Sequence, residues 1–532
     1  MGQQVVRWIV MVTAVIVLTT SGPAGMVGGQ EAGVLRVPLG GEPPTLDPYF
    51  AVDSASSPIV MMMYDTLVRI DGNGQIVPDG AQSWDVSPNG LIYTFHLRPL
   101  QFHSGRRVTA ADWKWSFERM SDPALKAPVG EFALPSIQGY PARQAGAAEV
   151  AGIRVIDPMT LQFVLDAQRR GGFLSRLAYY AAVVLDRTIV EGGGRGWYAT
   201  RDAGTGPFAL KEWAHNDHVV LASNPQYALG APALSRLELP IVTQPPTQLA
   251  EYQAGQLDVI PVPLGEFPRI KADATLGKQL LLSPRVQVIY LGLNPRVYAP
   301  FKDARVRRAV ALAIDKETIA RAVFFDLFRT AHSIVPPGVP GFYESYKGLP
   351  YDPAQAQKLL AEAGVQGKLP PLTIALNPLG PVGQMAGEPV AAMLKQNLGL
   401  AASLQRTEFS TFIASLNKRN VYEAFLTGWT ADYLDYSDYL DVLLHSKSPI
   451  DRVNYENPRF DQLIEQANAA STSGQRIALY HEAEAMAVEE APLVPLFFTQ
   501  SVLLKKPYVI GFQTSPINPL GFLPPTGVTI RK

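Results

Sequence analysis

The sequence predicts an α/β protein built from more than one lobe, on three observations. Short runs that alternate apolar with polar residues are interleaved along the chain with capped, amphipathic helical stretches, as in mixed α and β layers rather than a bundle or a sandwich. The chain has 532 residues, whereas a single hydrophobic core stops growing at roughly 250 to 300 residues. Hydrophobic residues make up 47% of it and charged residues 17%, which is the composition of a folded globular chain.

Taken in order, residues 1–29 read as a secretory signal peptide. Arg7 supplies a positive start, Trp8 to Thr20 is apolar, and Ser21 to Gly29 is small and flexible. The apolar run is short of the about 20 residues that a spanning helix needs, so cleavage is expected between Ala24 and Gln30. No later stretch reaches spanning length, and the mature chain is expected to be soluble. There is no cysteine, which excludes disulfides, thiol catalysis and a lipid anchor on a cysteine after the signal. An exported chain without such an anchor is expected in a periplasm.

Strands follow where period-two patterning is clear. Tyr93, Phe95 and Leu97 alternate, as do Leu161, Phe163 and Leu165, and Val286 to Asn294 is apolar on both faces, like a buried central strand. Helices announce themselves by their caps. Thr109 with Asp112 forms a capping box ahead of Trp113, Phe117 and Met120. Asp352 and Pro353 open a helix that Gly364 closes, and Asn457 with Pro458 opens one whose apolar face is Phe460, Leu463, Ile464 and Ala467. Pro/Gly-rich joins at Gly192 to Gly196, Gln244 to Pro246, Pro336 to Gly341 and Leu369 to Pro371 are expected loops or lobe boundaries.

The chemistry of catalysis is sparse. With 46 Lys and Arg against 47 Asp and Glu and no long basic run, nucleic acid is not an expected partner. Seven His residues occur, and none sits in a metal or acid/base pattern. His215 and His218 fall in a polar hairpin tip, His96 and His103 flank a strand and a turn, and His481 lacks the second His at i+4 that a zinc protease helix carries. No GxSxG elbow or GxxxxGK[ST] loop is present. Gly204, Thr205 and Gly206 lie in GTGPFA, where FALKEW alternates like a strand, so a tight turn fits better than a dinucleotide loop. No catalytic residue, metal or cofactor is expected.

The most unusual stretch runs from Trp429 through Asp432, Tyr433, Asp435, Tyr436, Asp438 and Tyr439 to Asp441. Carboxylates among aromatics suit a cation or an ammonium group, but the same pattern fits an exposed acidic helix start. Its D-x-x-D spacing does not match the alternating ligands of an EF-hand.

Ordered segments across residues 40–500 carry a family likeness: EPPTLDP from Glu42, YDTLVRIDGNGQIVPDGAQSWDVSPNG, YTFHLRPLQFHSGRRVTAADW, GTGPF, AEYQAGQLDVI, LNPRVYAPFKDARVRRAVALAID, YDPAQAQKLLAEAG, GWTADY, NPRFDQLI and EEAPLVPLF. Together they resemble the family 5 extracellular solute-binding proteins of ABC importers, among them oligopeptide- and dipeptide-binding proteins. The resemblance implies a periplasmic two-lobe clamp with an extra small domain. Residues 31–65, 203–285 and 500–532 would make the first lobe, 66–202 the small extra domain and 286–499 the opposing lobe. It implies a monomer that captures a peptide or similar small molecule and delivers it to an inner-membrane ABC permease. Asp432 matches the family's partner for a peptide's α-amino group, with Trp429 and Tyr433 beside it in the same motif. Phe409 falls where relatives line a side-chain pocket. Val52 to Ser56, with Ser54 among them, matches a segment that runs beside the ligand, and Gly204, Thr205 and Gly206 lie in the crossover region. Two departures stand out: Tyr436, shortly after Asp432, replaces a usual proline, and Leu426 stands where one branch has a basic residue. The same fold also serves oligosaccharide, nickel-chelate, haem and opine cargoes, and an enzyme or chaperone is the alternative from another class.

Overall fold

A computed structural model describes residues 33–531 apart from 449, 519–523 and 525; the signal-peptide expectation lies outside them. The predicted local signals act as read. The capping box at Thr109 closes through its backbone N–H and hydroxyl, which both donate to Asp112 Oδ2 at 2.9 and 2.8 Å. It starts helix Ala110–Met120, whose Trp113, Phe117 and Met120 are buried. Asp352 and Asn457 accept first-turn N–H groups of helices Pro353–Glu362 and Pro458–Ala469. HNDH is the tip of a hairpin between Phe208–Ala214 and His218–Ser223, where Asn216 takes φ 61°. Two expected joins are helical instead. Gly192 and Gly193 end helix Arg187–Gly193 and Gly194 opens a 3-10 turn, while Pro245 starts helix Pro245–Gln253, where its missing N–H costs nothing.

The described strands form three larger sheets and two small ribbons. The first sheet orders Val34–Arg36, Arg236–Pro240, His218–Ser223 and Phe208–Ala214, with only its first pair parallel. An antiparallel sheet of Ala81–Val86, Ile92–Leu97, Thr160–Val164 and Ile153–Asp157 lies within segment 66–202. The third sheet is mixed and runs Val259–Pro261, Leu493–Lys505, Leu280–Leu293, Ala424–Thr430, Leu372–Leu376 and Ala402–Arg406, with Arg329–Thr330 also on Leu493–Lys505.

The expected central strand is real and longer than its apolar run, starting at Leu280. Its Val286, Val288 and Tyr290 pack into one hydrophobic cluster and its Ile289, Leu291 and Leu293 into another, which is why it is apolar on both faces. The expected boundaries at 285/286 and 499/500 both fall inside long strands of this sheet, Leu280–Leu293 and Leu493–Lys505. The pairing of these two strands breaks register between Pro284 and Val288, where proline removes a ladder N–H.

Candidate functional site

Residues of the segment that follows strand Val34–Arg36, of the turn before helix Ser57–Met63 and of the mixed sheet surround a cavity of about 580 Å³. Its floor is the ladder between Leu280–Leu293 and Ala424–Thr430. Gln287 pairs with Thr430 and Ile289 with Gly428, and because side chains alternate across a strand, all four face the cavity. Thr499 donates to Gln287 Oε1 at 2.6 Å, and Gln287 Nε2 donates to Thr430 Oγ1 at 2.7 Å. This relay locks three strands side by side. A methyl on Gly428 would lie 2.8 Å from Ile289 Cδ1, so glycine keeps this floor open.

One hydrogen bond continues the ladder, from the Ala431 N–H to the Val286 carbonyl at 2.9 Å. Asp432 and Arg285 come next, and both line the cavity. Among the described residues no cation lies within ion-pairing distance of the Asp432 carboxylate. Burial pushes that carboxyl up to about 7, opposed only by the charge of Arg452. Ser54 and Phe409 line the same cavity. Ser54 is held in a turn in which Asp53 Oδ1 accepts the N–H groups of Ala55 and Ser56, both at 2.9 Å, and Phe409 starts helix Phe409–Lys418. Leu379, Gly380 and Pro381 bring the start of helix Pro381–Leu398 to the same cavity.

The remaining sequence-predicted residues stand behind this surface. Trp429 does not line the cavity; its indole N–H donates to Asp438 Oδ2 at 3.1 Å, and the Asp432 N–H donates to the same oxygen at 3.1 Å. Asp438 is fully buried and so fixes the backbone that presents Asp432. Tyr433 is fully buried, with the Arg176 guanidinium 4.7 Å from its ring centre. Gly204, Thr205 and Gly206 make a backbone crossing: the Thr205 and Gly206 N–H groups donate to Met63 O at 3.2 and 2.9 Å. A side chain at Gly204 would run into that carbonyl.

The acidic, aromatic stretch is therefore a buried scaffold and not an exposed helix start. Tyr433, Tyr436 and Tyr439 are buried, and the Tyr436 and Tyr439 hydroxyls donate to Gly341 O and Val286 O, each at 2.9 Å. Asp435 caps the turn Tyr436–Asp438. Burial disfavours its charge, yet two 2.6 Å bonds from Arg476 hold its carboxyl down to about 2. Sequence reasoning missed Arg285, Gln287 and Thr430. The signal was present in SPRVQVIY, where Arg285, Gln287 and Ile289 share one face of an otherwise apolar strand.

The described residues bring together no group of three or more His, Asp or Glu able to hold a metal, and no described helix is long and apolar enough to cross a membrane. The arrangement suits capture of a small molecule by a carboxylate, polar floor groups and apolar walls.

Residues 75–449 match the profile of the bacterial extracellular solute-binding proteins, family 5. The probable deoxycholate-binding periplasmic protein YgiS of Escherichia coli is 30% identical over 484 residues, covering 88% of this chain and 89% of its own. The di/tripeptide-binding protein 2 of Pseudomonas aeruginosa is 29% identical, over 91% and 92% of the two chains. The solved murein tripeptide-binding protein MppA of Escherichia coli superposes with a TM-score of 0.83 at 28% identity, over 94% of this chain and 99% of that one. The unliganded open form of MppA superposes less closely, at 0.72.

Proposed function

Since the chain belongs to the family 5 bacterial extracellular solute-binding proteins, we propose that it captures a short peptide in the cavity between two lobes and delivers it to an ABC permease of the inner membrane. The observation that carries this reading is the Asp432 carboxylate, which faces a 580 Å³ cavity with no cation inside ion-pairing distance. A buried carboxylate without a partner is costly, and a ligand ammonium supplies one. Backbone groups of an extended peptide would then find the polar floor at Gln287, Thr430 and Thr499, while Phe409 and Leu379 give its side chains apolar contact. The division into 31–65 with 203–285 and 500–532, 66–202, and 286–499 places the two lobe crossings in Leu280–Leu293 and Leu493–Lys505, beside the register break at Pro284. Action as a monomer, without catalysis, after export and removal of residues 1–29 to a periplasm, completes the reading.

A second reading is an amphipathic acid in place of a peptide, favoured by the apolar walls at Ile260, Val262, Ile289, Phe328 and Val382 and by the resemblance to a probable deoxycholate-binding protein. Native mass spectrometry after incubation with mixed short peptides and deoxycholate separates the two. Retention of free-amine peptides with rejection of their N-acetylated forms is expected; retention of deoxycholate alone would replace the first reading by the second.

A further inference from the structure

We propose that Arg285 is a second anchor of this cavity, a guanidinium that receives a carboxylate of the bound solute. The inference rests on the cavity being the solute site, though not on the solute being a peptide.

Among the residues that line the cavity, Arg285 is the one cation, and the acids are Asp53 and Asp432. Asp53 is engaged by the two N–H groups of its own turn. Arg285 forms no ion pair and no hydrogen bond among the described residues, and its Nε is enclosed without a partner. Burial pushes the guanidinium down to about 10, with Tyr439 the one group opposing it. Of the carboxylates in the acidic stretch, Asp435 is bound by Arg476, and Asp438 Oδ2 by the Trp429 indole and the Asp432 N–H. An enclosed charge that the fold leaves unmatched costs stability. A planar guanidinium in that position fits the two oxygens of a carboxylate.

Placement sets what the ligand looks like. Arg285 precedes Gln287 by two residues along its strand, and Asp432 lies two residues past Thr430, just beyond the end of the neighbouring strand, so both project into the cavity that Gln287 and Thr430 line. The start of helix Pro381–Leu398, without a side-chain cap or an acidic residue in its first turn, opens on the same cavity and adds positive potential there. An ammonium on Asp432 and a carboxylate on Arg285 describe a small zwitterion. A short peptide provides the carboxylate from its C-terminus or from an acidic side chain.

The test is calorimetric titration of wild type, Arg285→Gln, Arg285→Lys and Asp432→Asn with trialanine, trialanine amide, Ala-Glu-Ala amide and deoxycholate. Wild type is expected to bind trialanine about tenfold to a hundredfold more tightly than its amide. Arg285→Gln should erase that preference and Arg285→Lys should keep part of it. If the acidic side chain is the source, Ala-Glu-Ala amide binds tightly instead and loses the advantage in Arg285→Gln. Deoxycholate binding that depends on Arg285 and not on Asp432 supports the anchor with the other cargo. The unliganded Arg285→Gln protein should melt no lower than wild type, because it loses an unmatched charge rather than a structural contact. Peptide binding indifferent both to the carboxylate and to Arg285 overturns the anchor alone, and failure of wild type to bind any of the four overturns the reading of the cavity with it.

Discussion

At the scale of single residues, two aspartates three positions apart illustrate opposite uses of a buried carboxylate. Asp435 is paired and Asp432 is not. Removing Arg476 by Arg476→Ala should destabilise the protein by about 3 to 5 kcal/mol, because it strands a buried charge; replacing both partners by Asn and Met should cost less. Denaturant unfolding checks both. Asp432 should write itself into the pH dependence of binding. Its carboxyl titrates near pH 7 in the unliganded protein, so an amine-bearing solute must displace a proton below that pH. Affinity is expected to fall about tenfold per pH unit under pH 7, to fall again above about pH 8 as a peptide amine deprotonates, and to lose the acid limb in Asp432→Asn. Calorimetry across pH 5 to about 9 reads this directly. The sequence pointed to Asp432 through GWTADY, but nothing in that string told which of its neighbours lines the cavity. Burial sorted them: the aromatic residues turned inward as scaffold because large rings repay enclosure.

At the scale of elements, helices were the most legible, since caps and apolar spacing are local. Thr109, Asp352 and Asn457 each start the helix that their side chains indicate. Ladders were less legible, because the partner of a strand lies far away in sequence. Arg285 lies just before the apolar run 286–294 and reads as a flank until Ala424–Thr430 is set beside it. A second buried acid links a helix to a loop. Glu484 of helix Ser473–Glu490 accepts the N–H groups of Ile334 and Val335 at 3.0 and 2.8 Å, yet it is fully enclosed, and burial raises its carboxyl to about 7. A carboxyl raised on folding stabilises the protein below its unfolded value of 4.5 and loses that contribution as pH rises through about 7. Wild type should lose about 3 kcal/mol across that window relative to Glu484→Gln, as read from unfolding midpoints at a series of pH values.

At the scale of the whole molecule, length and composition announced several cores, and the chain order of the mixed sheet shows why their outlines were not readable. That sheet joins Val259–Pro261, Leu280–Leu293 and Leu493–Lys505, so one layer is assembled from segments more than two hundred residues apart. The family likeness supplied an outline that periodicity alone does not contain. Two long strands crossing between the proposed lobes, with a register break at Pro284, give closure a place to bend. Solution scattering should therefore record a smaller radius of gyration on addition of a bound solute, and an unchanged radius would remove the hinge. Whether Asp432 holds a solute's ammonium between the proposed lobes is read by titrating wild type and Asp432→Asn with one peptide and its N-acetylated form. Wild type should prefer the free amine by about 2 kcal/mol or more, and Asp432→Asn should bind both forms alike; the same preference in both proteins would show that Asp432 does not hold the ammonium.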